Sequence, residues 1–292
     1  MYSLNPTIFL YKNEIYSLVR KETDVDIWEQ SILRYELNKL DSKNLTILKS
    51  FPCSFKIDKT IFKHISRQDI QYPYYALEDI KYAFQKDDKI FGICNVLIKQ
   101  TTPREFRVGI VQIDMEDKNI ILIKLLKKPN MSTTEKNWTF YTYRNKNYIT
   151  TNLLPILKVY ELVENYELKL VQEKRSVCNY RFLMSQLHPN YRKLIITPCQ
   201  SLYQIEPHLF LILLKKRFIT NKYEYYIGYF NPVLFELYIN PNQWDSGYKK
   251  YLNSLQKIKN EYYTCFGIED RDYKIDKISI PLKSDRHLKR II

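Results

Sequence analysis

The chain has 292 residues, 45% of them hydrophobic and 15% aromatic, and its 46 Lys and Arg against 32 Asp and Glu give a formal net charge of +14. That apolar content supplies a packed core and excludes a disordered chain; its most apolar stretch, 208–214, stops at Lys215-Lys216-Arg217, far short of the roughly 20 residues that a spanning helix needs. The basic residues are scattered in twos and threes and Lys outnumbers Arg, so a nucleic-acid partner is not expected, although a stripe of Tyr and Lys on one surface would make it one.

In chain order, β-branched and aromatic segments at 7–10, 14–20, 31–36, 89–96, 106–113, 120–126, 147–152, 158–162, 223–230 and 234–239 predict strands. Short polar turns separate them, among them Lys12-Asn13, Asp87-Asp88 and Asn145-Lys146-Asn147. Helical spacing is confined to 248–259, where Tyr251, Leu252, Leu255 and Ile258 would share one face, and a short helical insertion is expected there. Hairpins of apolar strand, polar turn and apolar strand recur at 9–16, 82–91 and 140–148, with looser versions at 207–230 and 263–280. Five such units point to an all-β, five-bladed β-propeller formed by residues 1–292 as a single domain, since radial repetition leaves only short sheet edges. Two small β-sandwiches would produce the same hairpins. Closure of the ring is expected to pair the first and last strands.

No early apolar run survives Asn5, Pro6, Lys12, Asn13 and Glu14, so no secretory signal is expected. Five cysteines, Cys53, Cys94, Cys178, Cys199 and Cys265, are an odd number without metal-ligand spacing. Unpaired thiols, no metal, no cofactor and a cytoplasmic location follow as expectations. The sequence indicates no oligomeric state.

Four short motifs carry a resemblance. Asn5-Pro6-Thr7-Ile8 with Val19-Arg20, then Leu77-Glu78-Asp79, then Glu135-Lys136-Asn137-Trp138, and last Phe266-Gly267-Ile268-Glu269-Asp270 resemble, in order, the blade-start motifs of five-bladed propellers related to the β-mannoside phosphorylases and β-1,2-mannosyltransferases. The resemblance implies a carbohydrate-active enzyme, a glycosyltransferase or glycosidase working on β-linked sugars in a central funnel, with a glycan or nucleotide sugar as partner. It places Asp79 in an acid or proton-relay role and Asp270 as a second carboxylate across the funnel. Glu78 would hold sugar hydroxyls, Arg20 and Lys136 would meet a phosphate or diphosphate, and Asn137 and Trp138 would contact the substrate.

This chain also departs from that pattern. Ile80-Lys81 stands where the family usually has Pro-Arg, which reduces a bidentate anion contact to the point charge of Lys81. The His-Arg pair of the phosphorylases is replaced within Thr150-Thr151-Asn152-Leu153-Leu154-Pro155, and the bulky run Cys199-Gln200-Ser201-Leu202-Tyr203-Gln204 opens the fourth blade. The rival reading is therefore a catalytically degenerate propeller that serves as a glycan- or protein-binding module.

Overall fold

The computed structural model describes residues 2–22, 34–62, 76–99, 105–129, 136, 138–152, 156–175, 195–198, 202–217, 222–240, 244–248, 250–258, 260–268, 272–278 and 288–290. They form 22 strands and two short 3-10 turns, Lys59–Phe62 and Glu164–Tyr166. The first four strands, β1 (Tyr2–Tyr11), β2 (Glu14–Glu22), β3 (Arg34–Leu40) and β4 (Ile47–Ile57), form an antiparallel meander, and β5 (Ala76–Lys86), β6 (Lys89–Lys99), β7 (Glu105–Asp114) and β8 (Asn119–Leu125) repeat it. The outer strands β4 and β8 pair in parallel, joining these two blades along their rims. Blade 3 is β9 (Thr139–Tyr143), β10 (Lys146–Asn152), β11 (Ile156–Val163) and β12 (Glu167–Arg175). In blade 4 the innermost strand is broken into β13 (Ile195–Pro198) and β14 (Tyr203–Glu206), both paired to β15 (Leu209–Arg217). Then follow β16 (Lys222–Asn231), β17 (Glu236–Ile239) and β18 (Asp245–Tyr248). Blade 5 is β19 (Lys250–Ile258), β20 (Glu261–Ile268) and β21 (Asp272–Ile278), after which β22 (Lys289–Arg290) returns to β17.

Three hairpins turn on two residues that both have positive φ: Lys12 and Asn13 at 46° and 62°, Asp87 and Asp88 at 48° and 58°, Arg144 and Asn145 at 50° and 59°. This is the type I′ geometry whose twist matches the flanking strands, built here largely from Asn and Asp in place of Gly.

The sheets are buried on both faces, so successive side chains of one strand enter different cores. Phe210, Ile212 and Leu214 pack with Tyr141 and Val159 of blade 3, whereas Leu209, Leu211 and Leu213 pack with Leu252 and Phe266 of blade 5. The unbroken apolar run at 209–214 is thus a doubly covered strand. Blades 1 and 2 meet through Phe9, Tyr35 and Leu37 against Ile80, Cys94 and Val96, and blades 2 and 3 through Ile93 and Val108 against Trp138 and Phe140. The fifth core unites Ile8, Ile15 and Leu40 of blade 1 with Cys265 of blade 5. Five cores between five sheets close a ring: the chain is a five-bladed β-propeller.

Two expectations are corrected. Residues 250–258 of the expected helix are strand β19, because a bulge between Leu252 and Ser254 inserts one residue into the ladder with β20. That extra residue breaks the two-residue alternation and lets Leu252 and Leu255 both face inward, at a spacing of three that imitates a helix. Ring closure also differs. Among the described residues β1 pairs only with β2 and β22 only with β17, so blades 1 and 5 are joined by side-chain packing rather than by a shared sheet.

Candidate functional site

The innermost strands surround the axis, with β1 lying between β5 and β19, and β5 beside β9. Three of them carry a one-residue bulge near the same end: between Leu4 and Thr7 in β1, between Glu78 and Lys81 in β5, and between Leu252 and Ser254 in β19. Asn5 and Asp79 stand in the first two with φ of 43° and 53°. A left-handed backbone costs a side-chain-bearing residue energy, but Asn and Asp tolerate it best, and a bulge re-aims the side chain out of the ladder.

The two side chains consequently meet. Asn5 Nδ2 donates to Asp79 Oδ1 at 2.5 Å, Arg20 Nη1 pairs with the same oxygen at 3.1 Å, and Asn95 Nδ2 donates to Oδ2 at 3.3 Å. Burial alone would push the Asp79 carboxyl up. Arg20, Lys136, the Asn5 amide and Lys81 together outweigh it and hold the group below its ordinary value of 3.8, so Asp79 is a carboxylate at neutral pH. Next to it, Lys136 Nζ pairs with Glu78 Oε2 at 3.4 Å and lies 3.2 Å from the centroid of the Phe106 ring. Tyr35 anchors this stretch of β5 by donating to Leu77 O at 2.8 Å, and burial raises its phenol so far that it stays protonated.

Blade 5 completes the wall. Asn253, on the bulge of β19, donates through Nδ2 to Asn5 O at 2.8 Å, Pro6 O at 3.0 Å and Ile80 O at 3.4 Å. Gly267 sits where a Cβ would come within 2.7 Å of Asn5 Oδ1 and 3.2 Å of Asn5 N, so this position has no room for a side chain. Asn5 Oδ1 itself is buried without a hydrogen-bond partner among the described residues.

Of the residues singled out from sequence, Arg20, Glu78, Asp79, Lys81 and Lys136 converge here, whereas Asp270 and Asn137 lie outside the described residues. Trp138 is 1% exposed, packed with Ile93, Val108 and Phe140, and offers no open ring face. It lines a cavity with room for about one water, together with Asp79, Lys81, Cys94 and Asn95. Burial pushes the Cys94 thiol well up, which rules it out as a thiolate nucleophile. Cys53, Cys94 and Cys265 are free thiols, and Cys178 and Cys199 lie outside the described residues. Among the described residues no cluster of His, Cys, Asp and Glu could hold a metal ion, and no helix is long and apolar enough to cross a membrane.

Sequence reasoning missed Asn5 as a donor to Asp79, Asn95 and Asn253. For Asn253 a signal existed: Leu252-Asn253-Ser254-Leu255 places two polar residues where a simple strand would alternate, which marks a bulge.

No family model and no curated protein matches the chain. Solved structures do. The GH43_1 enzyme from Xanthomonas citri complexed with xylotriose superposes with a TM-score of 0.56 at 10% identity over 99% of this chain and 90% of that one. The β-xylosidase RS223 gives 0.56 at 12% identity, covering 96% and 93%. The endo-arabinase from Bacteroides thetaiotaomicron gives 0.57 at 12% identity, covering 97% and 96%. At such identities the likeness is one of fold, and it extends across nearly the whole chain.

Proposed function

We propose that this propeller is a carbohydrate-active enzyme that hydrolyses a β-linked glycoside at the Asp79 end of its axis. The observation that carries the reading is a carboxylate kept ionised by Arg20 and Asn5 at a site contributed by several blades, with the Lys136–Glu78 pair beside it. The solved structures that share the fold and are named as a xylosidase and an arabinase support a glycan as the ligand class.

Glycoside cleavage needs one carboxyl group to protonate the departing oxygen and another to activate water or stabilise positive charge on the sugar ring. A carboxyl held below its ordinary value suits the base or charge-stabilising role better than the acid or proton-relay role that the resemblance implied, and the base role is the one assigned to Asp79. Asp270 is the candidate for the acid. Arg20 and Lys136 are engaged by Asp79 and Glu78. A nucleotide diphosphate would have to break both pairs, which favours hydrolysis of a neutral glycan over transfer from a nucleotide sugar.

The test is release of 4-nitrophenol from 4-nitrophenyl β-xyloside, β-mannoside and β-galactoside, backed by chromatography of β-linked oligosaccharides. Turnover should fall by about 10²- to 10⁴-fold in Asp79→Asn. Full activity in that variant, or no turnover by the wild type on any of these substrates, overturns the reading. The second reading, a propeller that binds a glycan without cleaving it, is favoured by the three donors already on Asp79. It predicts saturable oligosaccharide binding with no product.

A further inference from the structure

A cleft of about 630 Å³ opens between the innermost strands of blades 2 to 5, well away from Asp79. Its polar and aromatic lining includes Tyr82 of β5, Tyr141 of β9, Tyr203, Gln204 and Glu206 of β14, and Gln256 of β19. On three strands these positions fall three residues beyond the Asp79 level, Asp79 to Tyr82, Trp138 to Tyr141 and Asn253 to Gln256, a displacement of roughly 7–10 Å at ~3.3 Å per residue once the bulges in β5 and β19 are allowed for. Asn253 ties β19 to β1 and β5, and the Tyr82 backbone N–H donates to Thr7 Oγ1 at 3.0 Å. The cleft shares no lining residue with the small cavity beside Asp79 and lies further along the inner strands.

Its chemistry is selective. The chain carries a net charge of +14, yet among the described residues no Lys or Arg lines the cleft and Glu206 is its single charged residue. That disfavours phosphates, nucleotides and other anions. Tyr82 rests one ring face on Phe9, with centroids 5.9 Å apart and planes 13° from parallel, and Tyr203 meets Tyr262 edge-on at 5.6 Å. Both rings are half-buried and held by neighbours. Gln204 and Gln256 each spend one amide N–H on a nearby backbone carbonyl, of Pro207 at 3.1 Å and Lys257 at 3.3 Å, which fixes their orientation. Ring faces that cover apolar C–H surface, beside planar amides and a carboxylate that bond hydroxyls, are the complement of an uncharged sugar. The volume falls within the ~300–1,000 Å³ usual for small-ligand sites.

We infer that this end of the axis is a second binding site, for a short neutral saccharide, independent of any chemistry at Asp79. Calorimetric titration of the full chain carrying Asp79→Asn, in which turnover at Asp79 is suppressed, with neutral di- and trisaccharides (xylobiose, xylotriose, cellotriose and β-1,3-galactotriose) and with glucose 6-phosphate as the anionic control, tests it. At least one neutral saccharide should bind that variant, with affinity unchanged by adding Tyr203→Phe and reduced about tenfold by adding Tyr203→Ala, the size of one lost aromatic contact. Because Tyr203 also supports Tyr262, Gln256→Ala provides a second variant that removes a polar contact without touching that pair, and it too should weaken binding. Binding lost in Asp79→Asn but kept in Gln256→Ala alone would assign the sugar to the Asp79 site and overturn the inference. So would tighter binding of glucose 6-phosphate, or no binding by any of the neutral saccharides.

Discussion

Asn253→Ala isolates the amide that ties β19 to β1 and β5. One side-chain amide supplies hydrogen bonds to Asn5 O at 2.8 Å and Pro6 O at 3.0 Å on β1, with a longer contact to Ile80 O at 3.4 Å on β5, and the residue is 3% exposed. Truncation leaves two to three buried carbonyls short of a donor. Each such loss costs about 1–3 kcal/mol when nothing replaces it, but carbonyls accept partial replacement from neighbours and water, so a total of roughly 2–4 kcal/mol is expected. At ~2–4 °C per kcal/mol for a domain of this order of size, the melting temperature should fall by about 4–16 °C, read by far-UV circular dichroism and checked by urea denaturation. Asn253→Asp is the informative companion, since it keeps the shape but replaces the donor with a carboxylate facing carbonyl oxygens, and should destabilise more than Ala. A shift below about 1 °C for Ala, with Asp no worse than Ala, would show that the amide does not tie the three strands together.

Asp79→Asn should also destabilise, by about 2–3 kcal/mol, below the roughly 3–5 kcal/mol of a broken buried pair because Asn keeps one acceptor for Arg20 and the Asp79 side chain is 24% exposed. Since the folded-state carboxyl lies below 3.8, its contribution is present above that pH and is lost as pH falls through the lower folded value; unfolding curves between pH 6 and 2 should show a shallower acid loss in Asp79→Asn than in wild type. Lys136→Ala removes one of the charges that lower the Asp79 carboxyl and leaves Glu78 without its cation, so the acidic limb of any pH–rate profile should move to higher pH, with a modest fall in melting temperature. Gly267→Ala brings a methyl within 2.7 Å of Asn5 Oδ1 and should cost about 1–3 kcal/mol; combining it with Asn5→Ala should recover part of that cost in a double-mutant cycle.

What the sequence reveals and what it hides have a common physical origin. The turns Lys12-Asn13 and Asp87-Asp88 were legible because a two-residue hairpin loop restricts which residues can adopt positive φ. Alternation was legible where a regular strand has one face covered, and not where both are, as at 209–214. The bulges erased it. At Leu252 and Ser254 one inserted residue converted a strand pattern into an apparent helix, and the same kind of insertion at Asn5 and Asp79 created the site. Sequence order alone could not show that Asn5, Arg20 and Asp79 meet, since that depends on two blades presenting their bulges to a common axis; the motifs carried by the resemblance supplied that grouping. Asn95 and Asn253 had no motif, and their roles come from strand pairing and from one amide bridging separate sheets. Trp138 illustrates the opposite error, in which an aromatic next to a motif became core because Ile93, Val108 and Phe140 enclose it.

The bonds that hold Asp79 in place also decide which of its oxygens can react. Oδ1 takes both the Asn5 amide at 2.5 Å and the Arg20 guanidinium at 3.1 Å, whereas among the described residues Oδ2 takes only Asn95 at 3.3 Å. A short bond combined with a charge-assisted one is the harder pair to disturb, and a 3.3 Å bond is the easier. Any water or sugar hydroxyl that Asp79 activates therefore meets Oδ2, while Oδ1 stays with Arg20 and keeps the group ionised. The division also reconciles a structural anchor with a chemical one: the oxygen that links blade 1 to blade 2 is not the oxygen asked to accept a proton. Where catalysis has been lost, the Oδ1 bonds would still be needed to position the bulged strands, so the presence of Asp79 alone does not distinguish an enzyme from a binding module. The state of Oδ2 does, because a base requires that oxygen to exchange Asn95 for substrate, and a purely structural carboxylate does not.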